Sequence, residues 1–155
     1  MRKSLGIVGV FLLGTLALTI VPVQAVPSFS GYVAADYSTW QISGAESGHY
    51  IEIQGGDAAR WWQVWRISNV GDFPLTKAIM VIHFYRVYIS GGWVYDPEII
   101  EQCAHIINSN GIWDDKYVLR LGTIEVGEYS EHVVNVWLDA SVVIASMWID
   151  VYYLP

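Results

Sequence analysis

Residues Trp61 to Leu75 read WWQVWRISNVGDFPL. Three tryptophans fall within five residues, Arg66 follows, and then comes a polar break at Asn69-Val70-Gly71-Asp72. In an extended chain Trp61, Gln63, Trp65 and Ile67 share one face, and Trp62, Val64, Arg66 and Ser68 share the other. The second face has the more polar end. Trp65 and Ile67 are therefore expected in a core, with Trp62 lying over a neighbour on the outer face. Asn69 and Asp72 can bond nearby backbone amides, Gly71 can take a positive φ, and Pro74 has no amide to give a ladder. The stretch reads as a β-strand running into its turn.

The same period of two recurs along most of the chain. Tyr32 to Ile42 and His49 to Gln54 are strand candidates, separated by the turn-forming Ser43 to Gly48, and Gly55-Gly56-Asp57 forms a further turn. Ala78 to Ile89 (AIMVIHFYRVYI) is apolar on both faces, as expected of a central strand covered on both sides. Lys116 to Leu121, Ser130 to Leu138 and Val142 to Tyr153 follow. In the last, Val143, Ala145, Met147, Ile149, Val151 and Tyr153 are expected inward, and Ser146, Trp148, Asp150 and Tyr152 outward. About seven strands with turn signals between them match the count of a β-sandwich.

One segment departs from that period. Asp96-Pro97-Glu98 offers a cap, a proline at the first helical position and an acid in the first turn. Ile99, Ile100, Cys103, Ile106 and Ile107 then recur at helical spacing. A helix of about three turns is expected over 97–108.

The N-terminal residues belong to a different class. Arg2 and Lys3 precede the apolar run LGIVGVFLLGTLALTIV, and Val23-Gln24-Ala25 supplies small residues for a signal peptidase. Export with cleavage near Ala25 is expected, leaving 130 of the 155 residues as one domain, 26–155. The alternative is an uncleaved anchor, because Leu5 to Val23 is just long enough to span a membrane. After cleavage no further membrane insertion is expected. Without Arg2 and Lys3, six basic residues face 15 acidic ones, a net charge of −9. That balance disfavours nucleic acid and anionic lipid, and suits an extracellular surface. Cys103 is the only cysteine, so no internal disulfide forms. Eight Trp and ten Tyr then supply the apolar area on which the core must rely.

Two motifs carry a resemblance. One is the strand ending in Asn69-Val70-Gly71, with an apolar strand after Pro74-Leu75. The other, some fifty residues on, is Leu121-Gly122-Thr123-Ile124-Glu125-Val126-Gly127-Glu128 before an alternating strand. Together they resemble the "N-x-G" and "L-x-x-(L/I)-x-x-G-(E/D)" turns of immunoglobulin-like adhesion modules of the CARDB type, over about residues 60–153. The resemblance implies an immunoglobulin-like sandwich of about seven strands, with the helix at 97–108 as an insertion. The N-terminal half is more weakly similar to camelysin-like and archaeal bundling-pilus subunits, through Ala35 to Thr39 and Gly56-Asp57. That likeness implies strand donation between copies, with Val26 to Tyr37 as donor and Tyr32, Val33 and Tyr37 as its anchors.

No catalytic constellation appears. The histidines are His49, His83, His105 and His132; His83 and His132 both fall in strands and could face each other. Cys103 and His105, on one helix, would point about 200° apart. Asp72, Asp114 and Asp115 are loop carboxylates of the kind Ca²⁺ uses, but no D-x-D-x-D-G loop frames them. No G-x-S-x-G elbow, phosphate loop or dinucleotide motif occurs, so neither an enzyme nor a cofactor is expected. What remains is surface. Trp40, Trp62, Trp93, Trp113, Trp137 and Trp148 cannot all be core. Trp62, Trp93, Trp113, Trp148 and Tyr152 are the candidate contact residues. Three readings follow: a module binding a protein partner or a second copy at the cell surface, a self-assembling filament or surface-layer subunit, and a glycan-binding module.

Overall fold

The structure, a computed structural model, describes residues 29–43, 49–55 and 60–155, with Arg60 described by its backbone alone. The strands are β1 (Val33–Ala34), β2 (Trp40–Ile42), β3 (Tyr50–Gln54), β4 (Arg60–Asn69), β5 (Leu75–Ile89), β6 (Gly92–Val94), β7 (Ala104–Ile106), β8 (Gly111–Trp113), β9 (Lys116–Ile124), β10 (Tyr129–Leu138) and β11 (Val142–Tyr153). One helix, α1 (Pro97–Cys103), lies between β6 and β7. The larger sheet runs β1-β11-β5-β9-β8, with β3 also on β11 and β6 on β5; the smaller runs β2-β4-β10-β7. All pairs are antiparallel.

The four longest strands set an immunoglobulin-like sandwich. β4 pairs with β10 in one sheet and β5 with β11 in the other, and the β4–β5 and β10–β11 connections cross between sheets. These are the relations of strands B, E, C and F in an immunoglobulin domain. Where that pattern sets its last strand beside F, this chain sets β1 and β3 beside β11.

Burial follows the alternation. Trp65 and Ile67 are buried and Trp61 packs partly against the core, whereas Gln63, between Trp61 and Trp65 on the same face, is exposed. Trp62 is 68 % exposed, so it does not lie over a neighbour as expected. β5 is covered on both sides. Met80 and Ile82 face the inter-sheet core, while Ile79 and Val81 join Val118 in a second small cluster beneath Phe29, Tyr32, Trp113 and Tyr152.

The two turn motifs meet at Asn69. Its Nδ2 donates to the carbonyls of Phe73 (2.8 Å) and Ile124 (2.9 Å), and its Oδ1 accepts from the Gly71 amide (3.0 Å). Its own backbone bonds Gly127 and Glu128 in the second turn. Gly71 does not use positive φ. Glycine is needed there for space, because a Cβ would lie 2.9 Å from Thr39 Cβ.

Four expectations are corrected. The helix ends at Cys103 rather than 108: Ala104 turns extended (φ −145°), and Ala104–Ile106 pairs with β10 through Val136↔Ile106. The β-branched isoleucines complete a sheet edge there. Tyr32 to Ile42 is not one strand. Asp36 accepts from the Ser38 amide and caps a 3₁₀ turn over Tyr37–Thr39, which carries the chain from the larger sheet to the smaller. Val143 is exposed and Val142 buried, because a β-bulge between Val142 and Ile144 resets the alternation. Ser146 sits on the outward row yet is fully buried beneath a polar cluster. The leader and cleavage site lie outside the described residues, as do Val26 to Ser28 of the donor segment, the Gly44 to Gly48 loop and Gly56-Asp57 of the next expected turn. Among the described residues no helix is long and apolar enough to cross a membrane.

Candidate interaction surface

The five candidate aromatics do not gather at one point. Trp93, Trp113, Trp148 and Tyr152 lie on the larger sheet, and Trp62 stands alone on the smaller. Trp113 stacks on Phe29 (5.4 Å) and meets Tyr152 edge-on (4.7 Å), so both rings are structural covers of the small outer cluster. Trp148 donates from Nε1 to the Tyr37 hydroxyl at 3.3 Å, and Tyr37 in turn bonds Asp150 and stacks on His49 at 3.7 Å. Of the anchors expected for a donor strand, Tyr32 bonds the Lys77 carbonyl (3.0 Å), and Val33 pairs with Tyr153 of the same chain.

Trp93 belongs to a cluster built around Arg86. The guanidinium carbon lies 3.9 Å from the Trp93 ring centroid. Arg86 donates to Ser146 Oγ (3.1 Å), Tyr50 Oη (2.9 Å) and Glu52 Oε1 (3.0 Å). The Tyr50 hydroxyl hydrogen bond, followed by those of Arg86 and Ser146, holds the Glu52 carboxyl below its ordinary range. Burial, then the hydrogen bond with Tyr50, pushes the Tyr85 phenol up to about 12. These partners come from β3, β5, β6 and β11, and no local motif announced them. These hydrogen bonds tie the side chains to one another, so the arrangement is a brace across four strands.

The outer face of the smaller sheet differs. Val64 pairs with Val133 and Trp62 with Asn135, and Ile107 donates its amide to the Asn135 carbonyl. Trp62, Val64, Val133 and Ile107 are between 44 % and 68 % exposed, so this is an apolar patch open to solvent. Arg66 bounds it, paired with Glu131 and resting 4.0 Å from the Tyr129 ring centroid. Beyond the patch, Trp137 meets the His105 ring at 5.3 Å. Sequence reading singled out Trp62 and set Val64 on the same outer face, but did not join them with Val133 and Ile107 into a patch. The alternation already set Val133 opposite the core row of β10. Ile107 was hidden because it was assigned to a helix.

His83 and His132 do not meet. His83 is in β5 of the larger sheet, and His132 in β10 of the smaller, opposite Trp65. Burial lowers the pKa of both. His105 sits beyond the helix end, its Nδ1 3.2 Å from the Tyr117 hydroxyl. Asp114 and Asp115 lie at the β8–β9 turn, and Asp72 near the opposite end of β9, where Leu75 pairs with Ile124. Among the described residues no three His, Cys, Asp or Glu side chains are placed to share a metal ion. Comparison with protein-family models, with curated proteins and with solved structures finds no match to this chain.

Proposed function

We propose that this chain is a non-enzymatic interaction module of the cell surface, and that it meets a second copy of itself through the outer face of the smaller sheet. The observation that carries this reading is the exposed Trp62–Val64–Val133–Ile107 patch on the paired strands β4 and β10. A large exposed aromatic beside aliphatic neighbours has the composition of a contact centre. Local charge at this face suits a like partner although net charge opposes one. The chain as a whole carries −7, which repels copies in most orientations. This face instead offers Arg66 beside Glu131, and a two-fold axis would set each against its opposite on the other copy. The export-type N-terminal sequence supports a location outside the cell.

Light scattering on residues 26–155 tests the reading. A concentration-dependent dimer is expected, and Trp62→Ala should weaken it by about tenfold or more. A chain that stays monomeric throughout would remove self-association from consideration.

A second reading, a filament subunit that donates its N-terminal strand, is favoured by the way β1 is held. It is two residues long, and the residues before it, Phe29 and Tyr32, seat on the outer cluster of the larger sheet. The same segment of another copy fits that seat by identity. Oligomers that survive Trp62→Ala but vanish when residues 26–37 are deleted would favour this reading over the first.

A further inference from the structure

We infer that the cavity beside helix α1 binds a primary ammonium group carried on an apolar chain. The cavity arises from an interruption in the larger sheet. On the side of β5 away from β11, the ladder with β9 stops at Ile82↔Tyr117, and the ladder with β6 begins at Val87↔Val94. Between them a space of about 320 Å³ opens under α1. That is the size of a small ligand pocket. Its apolar lining is Phe84, Ile100, Ala104, Ile112 and Tyr117; Ile100 and Ala104 are buried core residues, and Ile112 is exposed.

The rim gives the ligand its charge. Glu98, Glu101 and Asp115 line the opening, and no Lys or Arg does. The nearest cation to Asp115 in sequence, Lys116, turns to Asp114 instead, 3.5 Å away. His83 completes the lining. Its Nδ1 is enclosed and has no hydrogen-bond partner among the described residues. Burial, then the charge of Lys116, lowers its pKa. An ammonium group brings three donors and no acceptor, matching a rim of acceptors, while its alkyl stem suits the apolar lining. Carboxylates around low-dielectric walls attract a cation and repel an anion. An acidic rim alone would select any cation; the apolar lining selects one with a hydrocarbon stem. This site is independent of the self-association face, which lies on the other sheet.

Amide chemical shifts of isotope-labelled protein, titrated with hexylammonium, hexanol and hexanoate, test the inference. Hexylammonium should give saturable shifts at Glu98, Ile100, Glu101 and Ala104. Hexanol should bind about tenfold more weakly and hexanoate not at all. Glu98→Gln and Glu101→Gln, both at exposed positions, should each weaken hexylammonium about threefold or more without moving the thermal midpoint. Ala104→Leu should abolish binding by filling the cavity. Competition with Nα-acetyllysine amide separates two sources of the same chemistry: equal affinity points to a lysine side chain, weaker affinity to a free amine. No saturable shift with hexylammonium, equal binding of hexanol or hexanoate, unchanged affinity in both Glu→Gln variants, or the same shifts from calcium alone would each overturn the proposal.

Discussion

Trp65→Ala is expected to cost about 3–5 kcal/mol of stability, a loss comparable to the whole margin of many domains of this size. The indole is 1 % exposed and sits in the middle of β4, between Trp61, whose ring centroid is 6.3 Å away, and the strand-pair partner His132. Removing it leaves a cavity walled by both sheets, which paired strands cannot collapse to fill. Trp62→Ala supplies the internal comparison. It removes the same side chain three residues away, from a position 68 % exposed, and should change stability by no more than about 0.5 kcal/mol in the monomer. Urea unfolding at a concentration where the chain is monomeric measures both. Similar losses for the two would contradict the placement of the β4 faces.

That contrast was readable from WWQVWRI alone, because a strand's period is fixed by backbone geometry and needs no partner to be known. The same holds for the long strands β5, β10 and β11. Each is long enough for most of its pattern to survive a local irregularity. The doubly apolar β5 was correctly a covered strand, though its outer cover is a piece of the same chain, Phe29 and Tyr32, whose sequence gives no sign of where it docks.

Failures occurred where a long-range partner outvoted a local signal. Ile106 and Ile107 fit a helical stripe, but β10 offered an open edge, and pairing through Val136↔Ile106 ended the helix at Cys103. A single inserted residue near Val143 reversed one pair of faces in β11. The Arg86 brace joins residues separated by up to 96 positions, such as Tyr50 and Ser146, and only the folded register brings them together. The cavity under α1 is a property of two ladders that stop short of one another, and its acidic rim comes from two separate segments, α1 and the β8–β9 turn. None of this has a sequence period. The exposed patch was half legible: Trp62 by composition, Val64 by alternation, Ile107 by neither.

Asn69→Ala is expected to cost about 2–4 kcal/mol, more than any other polar substitution in a turn of this chain. The side chain is 1 % exposed and supplies three hydrogen bonds, two to carbonyls and one from an amide. Alanine would leave the Ile124 carbonyl unpaired in a buried position, and would untie the β4–β5 turn from the end of β9. Asn69→Asp sharpens the test. It keeps the acceptor for the Gly71 amide but sets a carboxylate against the Phe73 and Ile124 carbonyls. Burial beside those carbonyls should raise the folded-state pKa of the new acid above its unfolded value of about 3.9. Stability of this variant is then present at low pH, where the acid is protonated and can donate one bond. It is lost as pH rises through the raised pKa. The variant should therefore lie closer to the parent near pH 4 than at pH 7, while Asn69→Ala shows no such convergence. Asp72→Ala, exposed in the same turn, should stay within about 0.5 kcal/mol. If Asn69→Ala behaves like Asp72→Ala in denaturant unfolding, the two turns are not joined through this side chain. Their fifty-residue spacing would then reflect two independent hairpin signals rather than one latch.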